Sequence, residues 1–305
     1  MRRLTARSRR GVTRRLGPVF AVPAMLLLIA ITPGAGGHLP RPPGRPGSGP
    51  PTLASMLRFS PPAHRLYLVI SGQHLRDIQL VAPGLAAELR ARRTTIVLNP
   101  ASTTNQAAVG TALFTSYADF AGKIQRHAMP AGVRAVAYDP ELWRATPVAE
   151  RIDPQRYMRL FAAAAHQHGY ATILMPGRDL LAGAGPCRQR DGEDLDAAFV
   201  RCGLAGQGAR LSQVFELQTA PVELSGTELR GFAAACARQA RAANPSVVLI
   251  ATLTTQPGGR RVSGWQLARA AAVLRPFVQG FQLNMTRWST RAAVAFLRTV
   301  PGLRG

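Results

Sequence analysis

Six stretches of the chain share one hydropathy pattern, in which an apolar run ends on polar residues just before a loop. The runs are LYLVIS ending at Ser71, TTIVLN at Asn99, VRAVAYDPE at Asp139 and Glu141, SQVFELQ at Glu216 and Gln218, VVLIATLT at Thr252 and Thr254, and GFQLN at Gln282 and Asn284. A buried strand tolerates polar groups where its end meets solvent or a ligand. The pattern therefore predicts strands whose ends form one polar mouth.

Helix patterns lie between these runs and a seventh strand-like run, YATILMP at 170–176. Regular alternation of strand and helix predicts a parallel sheet, and we predict a TIM-type (β/α)8 barrel over residues 66–305. Seven units are visible where a complete barrel has eight. The eighth is expected to be degenerate, hidden within residues 180–209, or missing. A doubly wound open sheet is the alternative, although no glycine-rich phosphate loop follows the first strand.

Helix boundaries are marked by capping patterns. Asp153 and Pro154 form a cap and first-turn pair, and Ser225 and Glu228 have capping-box spacing. Predicted helices span about 74–92, 107–128, 154–168, 226–244 and 289–299, and a further helix is predicted to start near Ser263.

The N-terminal 65 residues have a different composition. Residues 1–37 combine an arginine-rich start, the apolar run PVFAVPAMLLLIAIT and a small-residue stretch, which predicts a cleaved export signal. An uncleaved membrane anchor is the alternative. Residues 38–65 are rich in Pro and Gly and are expected to form a linker. We expect a secreted or cell-wall-associated protein whose membrane contact is confined to the export segment.

The chain is strongly basic, with 38 Lys and Arg against 15 Asp and Glu. Seven of the arginines precede residue 38, so the rest of the chain keeps a formal net charge of +16. Such a charge suits nucleic acid or an anionic wall or membrane surface. However, Lys123 is the only lysine, and the later arginines occur singly without a basic block or interleaved aromatics. We therefore expect no nucleic-acid partner.

Three cysteines occur in the 305 residues. Cys187 and Cys202 lie within the longest irregular insertion, residues 179–210, and in an exported protein they are expected to form a disulfide that holds this loop over the mouth. Two free thiols are the alternative. Cys236 lies among alanines in a helix, as a small buried residue does. No zinc-ligand spacing is present, and we predict neither a metal nor a cofactor.

The strongest chemical signal is Tyr138-Asp139-Pro140-Glu141-Leu142-Trp143. Asp139 and Glu141 are two residues apart, so an extended backbone points both toward the barrel axis at its C-terminal rim. Each negative charge disfavours ionisation of its neighbour, so one carboxyl group can stay protonated near neutral pH as a general acid. Glycoside hydrolysis uses such an arrangement.

The segment from Gly132 to Glu141, GVRAVAYDPE, resembles the strand motif of family 18 glycoside hydrolases, the chitinase-like barrels, which ends in Asp-x-Glu. The resemblance implies that Glu141 protonates the glycosidic oxygen and that Asp139 steadies the acetamido group of the substrate. Arg134 and Ala137 stand where that family has earlier aspartates. YDPELW, TPVAERIDP, AHQHGY, FELQTA and FQLNM together are similar to segments of secreted actinobacterial barrel proteins, which implies a fold and no mechanism.

Other polar and aromatic residues complete the predicted site. Glu216 is a second catalytic candidate, as base, nucleophile or acceptor for a sugar hydroxyl; a carboxylate paired with an arginine is the alternative. Amide side chains suit sugar hydroxyl groups, and aromatic rings suit sugar faces or the barrel core. The expected substrate-binding residues are Asn99, Tyr138, Trp143, Gln218, Gln282, Asn284 and Trp288.

These observations predict a secreted glycoside-hydrolase-like protein that cleaves a cell-wall or extracellular polysaccharide by carboxylate acid/base chemistry. The expected partner is a carbohydrate or cell-wall polymer. The alternative is a non-catalytic carbohydrate-binding or wall-binding protein on a decayed hydrolase barrel, since one fold hosts many functions.

Overall fold

A computed structural model describes residues 66–101 and 107–303, which form a TIM-type barrel. The predicted export signal and linker lie outside these residues. Eight parallel strands close in sequence order, with β1 pairing with both β2 and β8. The strands are β1 Tyr67–Ser71, β2 Thr95–Leu98, β3 Val109–Phe114, β4 Ala135–Tyr138, β5 Ala171–Leu174, β6 Val214–Leu217, β7 Val248–Thr254 and β8 Gly280–Asn284. Closure of the ring rules out the open doubly wound sheet.

The helices surround this ring. They are α1 Gly72–Val81, α2 Pro83–Ala91, α3 Tyr117–Gln125, α4 Val148–Ile152, α5 Pro154–Gln167, α6 Leu195–Arg201, α7 Leu204–Leu211, α8 Gly226–Ala243, α9 Gly264–Leu274 and α10 Thr290–Thr299. The predicted cap at Asp153 is confirmed, because its side chain accepts from the Arg156 N–H at 3.0 Å. Ser225 precedes α8, but its side chain makes no capping hydrogen bond, so the predicted capping box is wrong.

The hydrophobic core has two layers separated by the strands. Alternate strand residues such as Val69, Ile96 and Ile250 fill the barrel interior, while Leu68 and Phe281 pack against the surrounding helices. At the amino end, a Cβ on Gly280 would lie 2.5 Å from the Tyr67 carbonyl oxygen, so only glycine lets these strands approach. This two-residue alternation decides which strand-end side chains reach the mouth.

The eighth strand lies where a helix was predicted. Residues 107–128 contain β3 and the shorter helix α3, so a single helix there was wrong. β3 follows β2 after residues 99–108, and the described residues of this connection, 99–101 and 107–108, contain no helix. The eighth strand is therefore β3, and the alternative of a strand hidden in 180–209 is wrong.

The insertion after β5 contains a short 3-10 helix, Arg178–Ala182, followed by α6 and α7. A disulfide joins Cys187 to Cys202, with Cα atoms 5.9 Å apart. Cys236 is a fully buried free thiol in α8. Within residues 66–101 and 107–303, no helix has both the length and the apolar character that a membrane crossing requires.

Candidate active site

Strand alternation brings the predicted acids to the C-terminal end of the barrel. In β4, Ala135 and Ala137 face the interior, and Asp139 continues that face one residue beyond the strand. In β6, Val214 faces the interior, so Glu216 and then Gln218 do the same. Two strands on either side of β5 thus deliver polar groups to one mouth, as the pattern of apolar runs predicted.

One amide holds two of the acids together. Gln218 Nε2 donates to Asp139 Oδ1 at 3.1 Å and to Glu141 Oε1 at 3.0 Å, and it also lies 3.2 Å from the Met175 carbonyl oxygen. The carboxyl groups of Asp139 and Glu141 also hydrogen-bond to each other. Gln218 is therefore a positioning residue for the acid pair.

Burial and mutual repulsion keep protons on this pair. Desolvation raises the pKa of Asp139 well above its ordinary value, and the charges of Glu141, Glu216 and Asp179 raise it further. Desolvation also raises the pKa of Glu141, with Asp179 adding to the effect and the Gln218 hydrogen bond opposing it. Asp139 is 9% exposed and Glu141 is half-buried, so Glu141 is the member that reaches solvent.

Glu216 lies deeper in the barrel and is only 1% exposed. The Thr252 hydroxyl donates to its Oε1, while its Oε2 has no hydrogen-bond partner. Burial raises the pKa of Glu216 to about 8, with a further contribution from Glu141. The carboxyl group is neutral at pH 7 in the free protein, which fits a ligand contact better than a base or nucleophile.

A fourth acid, Asp179, completes the cluster, although the sequence pattern did not assign it a role. Its Oδ2 accepts from the Leu142 N–H at 3.0 Å, and its Oδ1 is buried without a partner. A Cβ on Gly177 would collide with Asp179 Oδ1 and lie 2.8 Å from Glu141 Cγ, so both side chains pack against this glycine. The available signal was its position just after a strand end.

The opposite side of the mouth carries amides and hydroxyls. Thr252 in β7 is in register with Gln282 in β8, and Thr254 with Asn284. Gln282 donates from Nε2 to Asn284 Oδ1 at 3.3 Å, and its own Oε1 is buried without a partner. Asn284 is exposed. These residues offer acceptors and donors to a polar ligand.

Tyr138 does not belong to this cluster, so its prediction as a substrate contact is wrong. As the alternate residue of β4 it faces outward, is completely buried and stacks on Phe161 with ring centroids 4.8 Å apart. Its hydroxyl donates to Glu150 Oε2 at 2.6 Å. Glu150 also accepts from the Ser116 hydroxyl and from two backbone N–H groups at the start of α3, so this pair supports the fold.

The Asn99 side chain is hydrogen-bonded to the backbone of a neighbouring strand. Its Oδ1 accepts from the Leu113 N–H at 2.9 Å, and its φ of 46° is in the left-handed region that asparagine tolerates. The side chain thus links the end of β2 to β3. This bond leaves only its exposed amide nitrogen for a sugar contact.

Two tryptophans lie in loops after strands at this end of the barrel. Trp143 follows β4 and is 44% exposed, and its indole N–H donates to the Thr146 hydroxyl at 3.1 Å. Trp288 follows β8, is 69% exposed and stacks with Arg287, whose guanidinium carbon lies 4.1 Å from the ring centroid. Neither ring caps the core, so both remain candidates for contact with a sugar face.

No group of three or more His, Cys, Asp and Glu side chains is placed to hold a metal ion in the described ranges. The four acids lie close enough to affect each other's ionisation without forming such a group. The carboxyl and amide groups of these residues support proton transfer and hydrogen bonding.

Comparisons with known proteins give little beyond the fold. No protein-family model matches the chain, and no curated protein matches it. Among solved structures, triosephosphate isomerase from Bartonella henselae matches with 13% identity, covering 76% of this chain and 96% of that chain, at a TM-score of 0.42. A likeness this distant carries no information about activity.

Proposed function

We propose that this chain is a secreted glycoside-hydrolase-like protein that cleaves a cell-wall or extracellular polysaccharide by carboxylate acid/base chemistry. The observation that supports the proposal most is the Asp139–Glu141 pair, whose carboxyl groups share one amide donor and have raised pKa values at the barrel mouth. A carboxylic acid that keeps its proton near neutral pH is what protonation of a glycosidic oxygen requires.

The two carboxyl groups differ in burial, which divides their roles. Asp139 is the more buried and holds the proton by preference in the free protein, while Glu141 reaches the mouth. The hydrogen bond between them carries the Asp139 proton to Glu141, which protonates the leaving oxygen as the C–O bond breaks. The hydrogen bonds from Gln218 hold the two carboxyl groups in position during this proton transfer. A water molecule from solvent adds its hydroxyl group to the anomeric carbon and returns a proton to the pair.

Replacement of the acid tests the proposal. The purified protein is incubated with wall glycans and soluble polysaccharides, and release of reducing ends is compared for wild type and Glu141→Gln. Since general acid catalysis typically contributes about 10²- to 10⁴-fold, kcat should fall by a factor in that range. The amide keeps the shape of the side chain and removes its proton.

Glu228→Gln is the matched control, because Glu228 lies in the first turn of α8 outside the mouth and the substitution makes the same chemical change. Its turnover should equal that of wild type. Equal turnover in wild type and Glu141→Gln would remove Glu141 from the acid role. Activity lost equally in both variants would point to a folding defect.

One observation favours a non-catalytic carbohydrate-binding protein as the second candidate. Ala137 occupies the next inward position of β4 and Arg134 bonds to the Ala107 and Ala108 carbonyl oxygens, so the acid series of the family 18 motif stops at Asp139. Binding of a glycan without release of reducing ends would support this candidate over the hydrolase.

A further inference from the structure

Four of the chain's 15 acidic residues converge on the barrel mouth: Asp139, Glu141, Asp179 and Glu216. They come from the ends of three successive strands, β4, β5 and β6. Electrostatic repulsion links Asp139 to each of the other three. This concentration of acids occurs in a chain with 38 basic residues.

None of the four has a basic partner in the described parts of the chain. The ion pairs there are Lys123–Asp119, Arg178–Asp196 and Arg201–Glu193. Arg178 directly precedes Asp179, yet its guanidinium binds Asp196. Buried carboxylates are normally paired or neutralised. Among residues 66–101 and 107–303 no arginine pairs with these four acids, which leaves them available to a ligand.

The buried polar atoms left unsatisfied in the residues at the ends of β5, β6 and β8 are all oxygens. Glu216 Oε2, Asp179 Oδ1 and Gln282 Oε1 are buried without hydrogen-bond partners. Glu216 is 99% buried by its 1% exposure, and it faces the barrel axis beneath Gln218. Gln282 lies on the strand next to Thr252, which binds the other oxygen of Glu216. A ligand that binds the ionised carboxylates must therefore bring donors.

We propose that the mouth binds its substrate through a positively charged ammonium group, so that the substrate is a polysaccharide whose hexosamine units carry free amino groups. An ammonium supplies N–H donors and no acceptor, which suits unpartnered oxygens among carboxyl groups that have no basic partner. An N-acetylated unit is neutral and adds a carbonyl acceptor to surroundings that already have an excess of acceptors. This inference rests on the proposed function and names its substrate class.

The protonation of the mouth is consistent with such a ligand. Burial and mutual repulsion raise the pKa of Asp139, Glu141 and Glu216, so protons neutralise the empty cluster. The facing positions in β7 and β8, Thr252 and Gln282, carry no charge. A bound cation favours the ionised carboxylates, so binding is expected to release protons.

Calorimetry with three hexasaccharides tests the inference. The probes are the fully de-N-acetylated glucosamine hexamer, the N-acetylglucosamine hexamer and cellohexaose, titrated into Glu141→Gln so that cleavage during the titration is slow. The glucosamine hexamer should bind at least about tenfold more tightly than either of the others, or ~1.4 kcal/mol. Repetition in two buffers of different ionisation enthalpy should show proton release for this hexamer alone.

Charge-removing variants locate the site. Asp179→Asn keeps an acceptor for the Leu142 N–H and Glu216→Gln keeps one for the Thr252 hydroxyl, so both preserve known contacts. Each, added to Glu141→Gln, should abolish most of the preference for the glucosamine hexamer and leave cellohexaose binding unchanged. Adding Glu228→Gln should leave the preference intact. Two separate positions guard against one variant that fails to fold.

Three results would overturn the inference. These are equal or tighter binding of the N-acetylated hexamer or cellohexaose, no binding of any hexamer, and equally tight binding of a hexalysine peptide, which would indicate general attraction to cations. Glu141-dependent cleavage of a neutral polysaccharide together with any of these results would leave the hydrolase proposal standing. The two proposals therefore fail separately.

Discussion

At the scale of single residues, Glu216 shows how burial changes the chemistry of a carboxyl group. It stands on a strand between apolar neighbours, with one hydroxyl donor and no basic partner. Its pKa of about 8 follows mainly from desolvation. The same side chain on the surface would be ionised throughout the physiological range.

Glu216 should make stability depend on pH. Its pKa rises from an ordinary 4.5 to about 8 on folding, so the folded state binds the extra proton between these values. The contribution of Glu216 to the free energy of unfolding is fully present below pH 4.5. It is lost as the pH rises toward 8, at about 1.4 kcal/mol per pH unit at most. Relative to wild type, Glu216→Gln should therefore gain stability steadily over this window.

Urea denaturation of both proteins at several pH values between 4 and 9 measures this difference. Glu228→Gln serves as the control, because Glu228 lies at the surface in the first turn of α8, and its curve should follow wild type. A constant difference between wild type and Glu216→Gln across the range would contradict the assignment of the raised pKa to Glu216.

The catalytic candidates were predictable from the sequence where the two-residue alternation of a strand determines which way a side chain points. Asp139 and Glu141 lie two residues apart after an apolar run, so one face followed from alternation. Tyr138 directly precedes Asp139, so the same alternation predicts that it faces outward. Its hydroxyl had nevertheless suggested a ligand contact. Asp179 comes after Pro176 and Gly177, where no period specifies a direction, so only the fold could place it.

At the scale of elements, most strands were predictable because they are continuous apolar runs. β3 was not, since its sequence VGTALF contains glycine, threonine and alanine and leads directly into the amphipathic helix α3. The apolar residues of β3 and α3 therefore fitted the spacing of one continuous helix. The predicted helix over 74–92 likewise divides into α1 and α2, because Pro83 begins a new helix after Ala82.

The disulfide should stabilise the insertion that carries Asp179. Cys187 and Cys202 are 15 residues apart, and closing a loop of this length contributes about 3 kcal/mol by the chain-entropy account. The double variant Cys187→Ala/Cys202→Ala should lose about 2–4 kcal/mol of unfolding free energy, measured by guanidinium denaturation. Wild type should lose a similar amount on adding reductant, whereas the variant should not respond. Equal midpoints for oxidised and reduced wild type would disprove a stabilising role.

At the scale of the whole molecule, the barrel separates stability from chemistry. The interior and the helix-facing layer hold the apolar residues, and the acids gather at the C-terminal ends of the strands. Architecture of this kind followed from the alternation of patterns along the chain. The closure of the ring required the missing strand and could not be decided from seven visible units.

The uneven charge distribution should also affect binding kinetics. Arginines dominate the exterior, while four acids are withdrawn into the mouth. The long-range field of the arginines would thus repel a cationic oligosaccharide before the acids at the barrel mouth attract it. Dissolved ions weaken the distant field far more than short, partly desolvated contacts. Stopped-flow measurements with the glucosamine hexamer should show an association rate constant that rises as sodium chloride is added. The dissociation rate constant should hardly change. This salt dependence is the reverse of ordinary electrostatic steering.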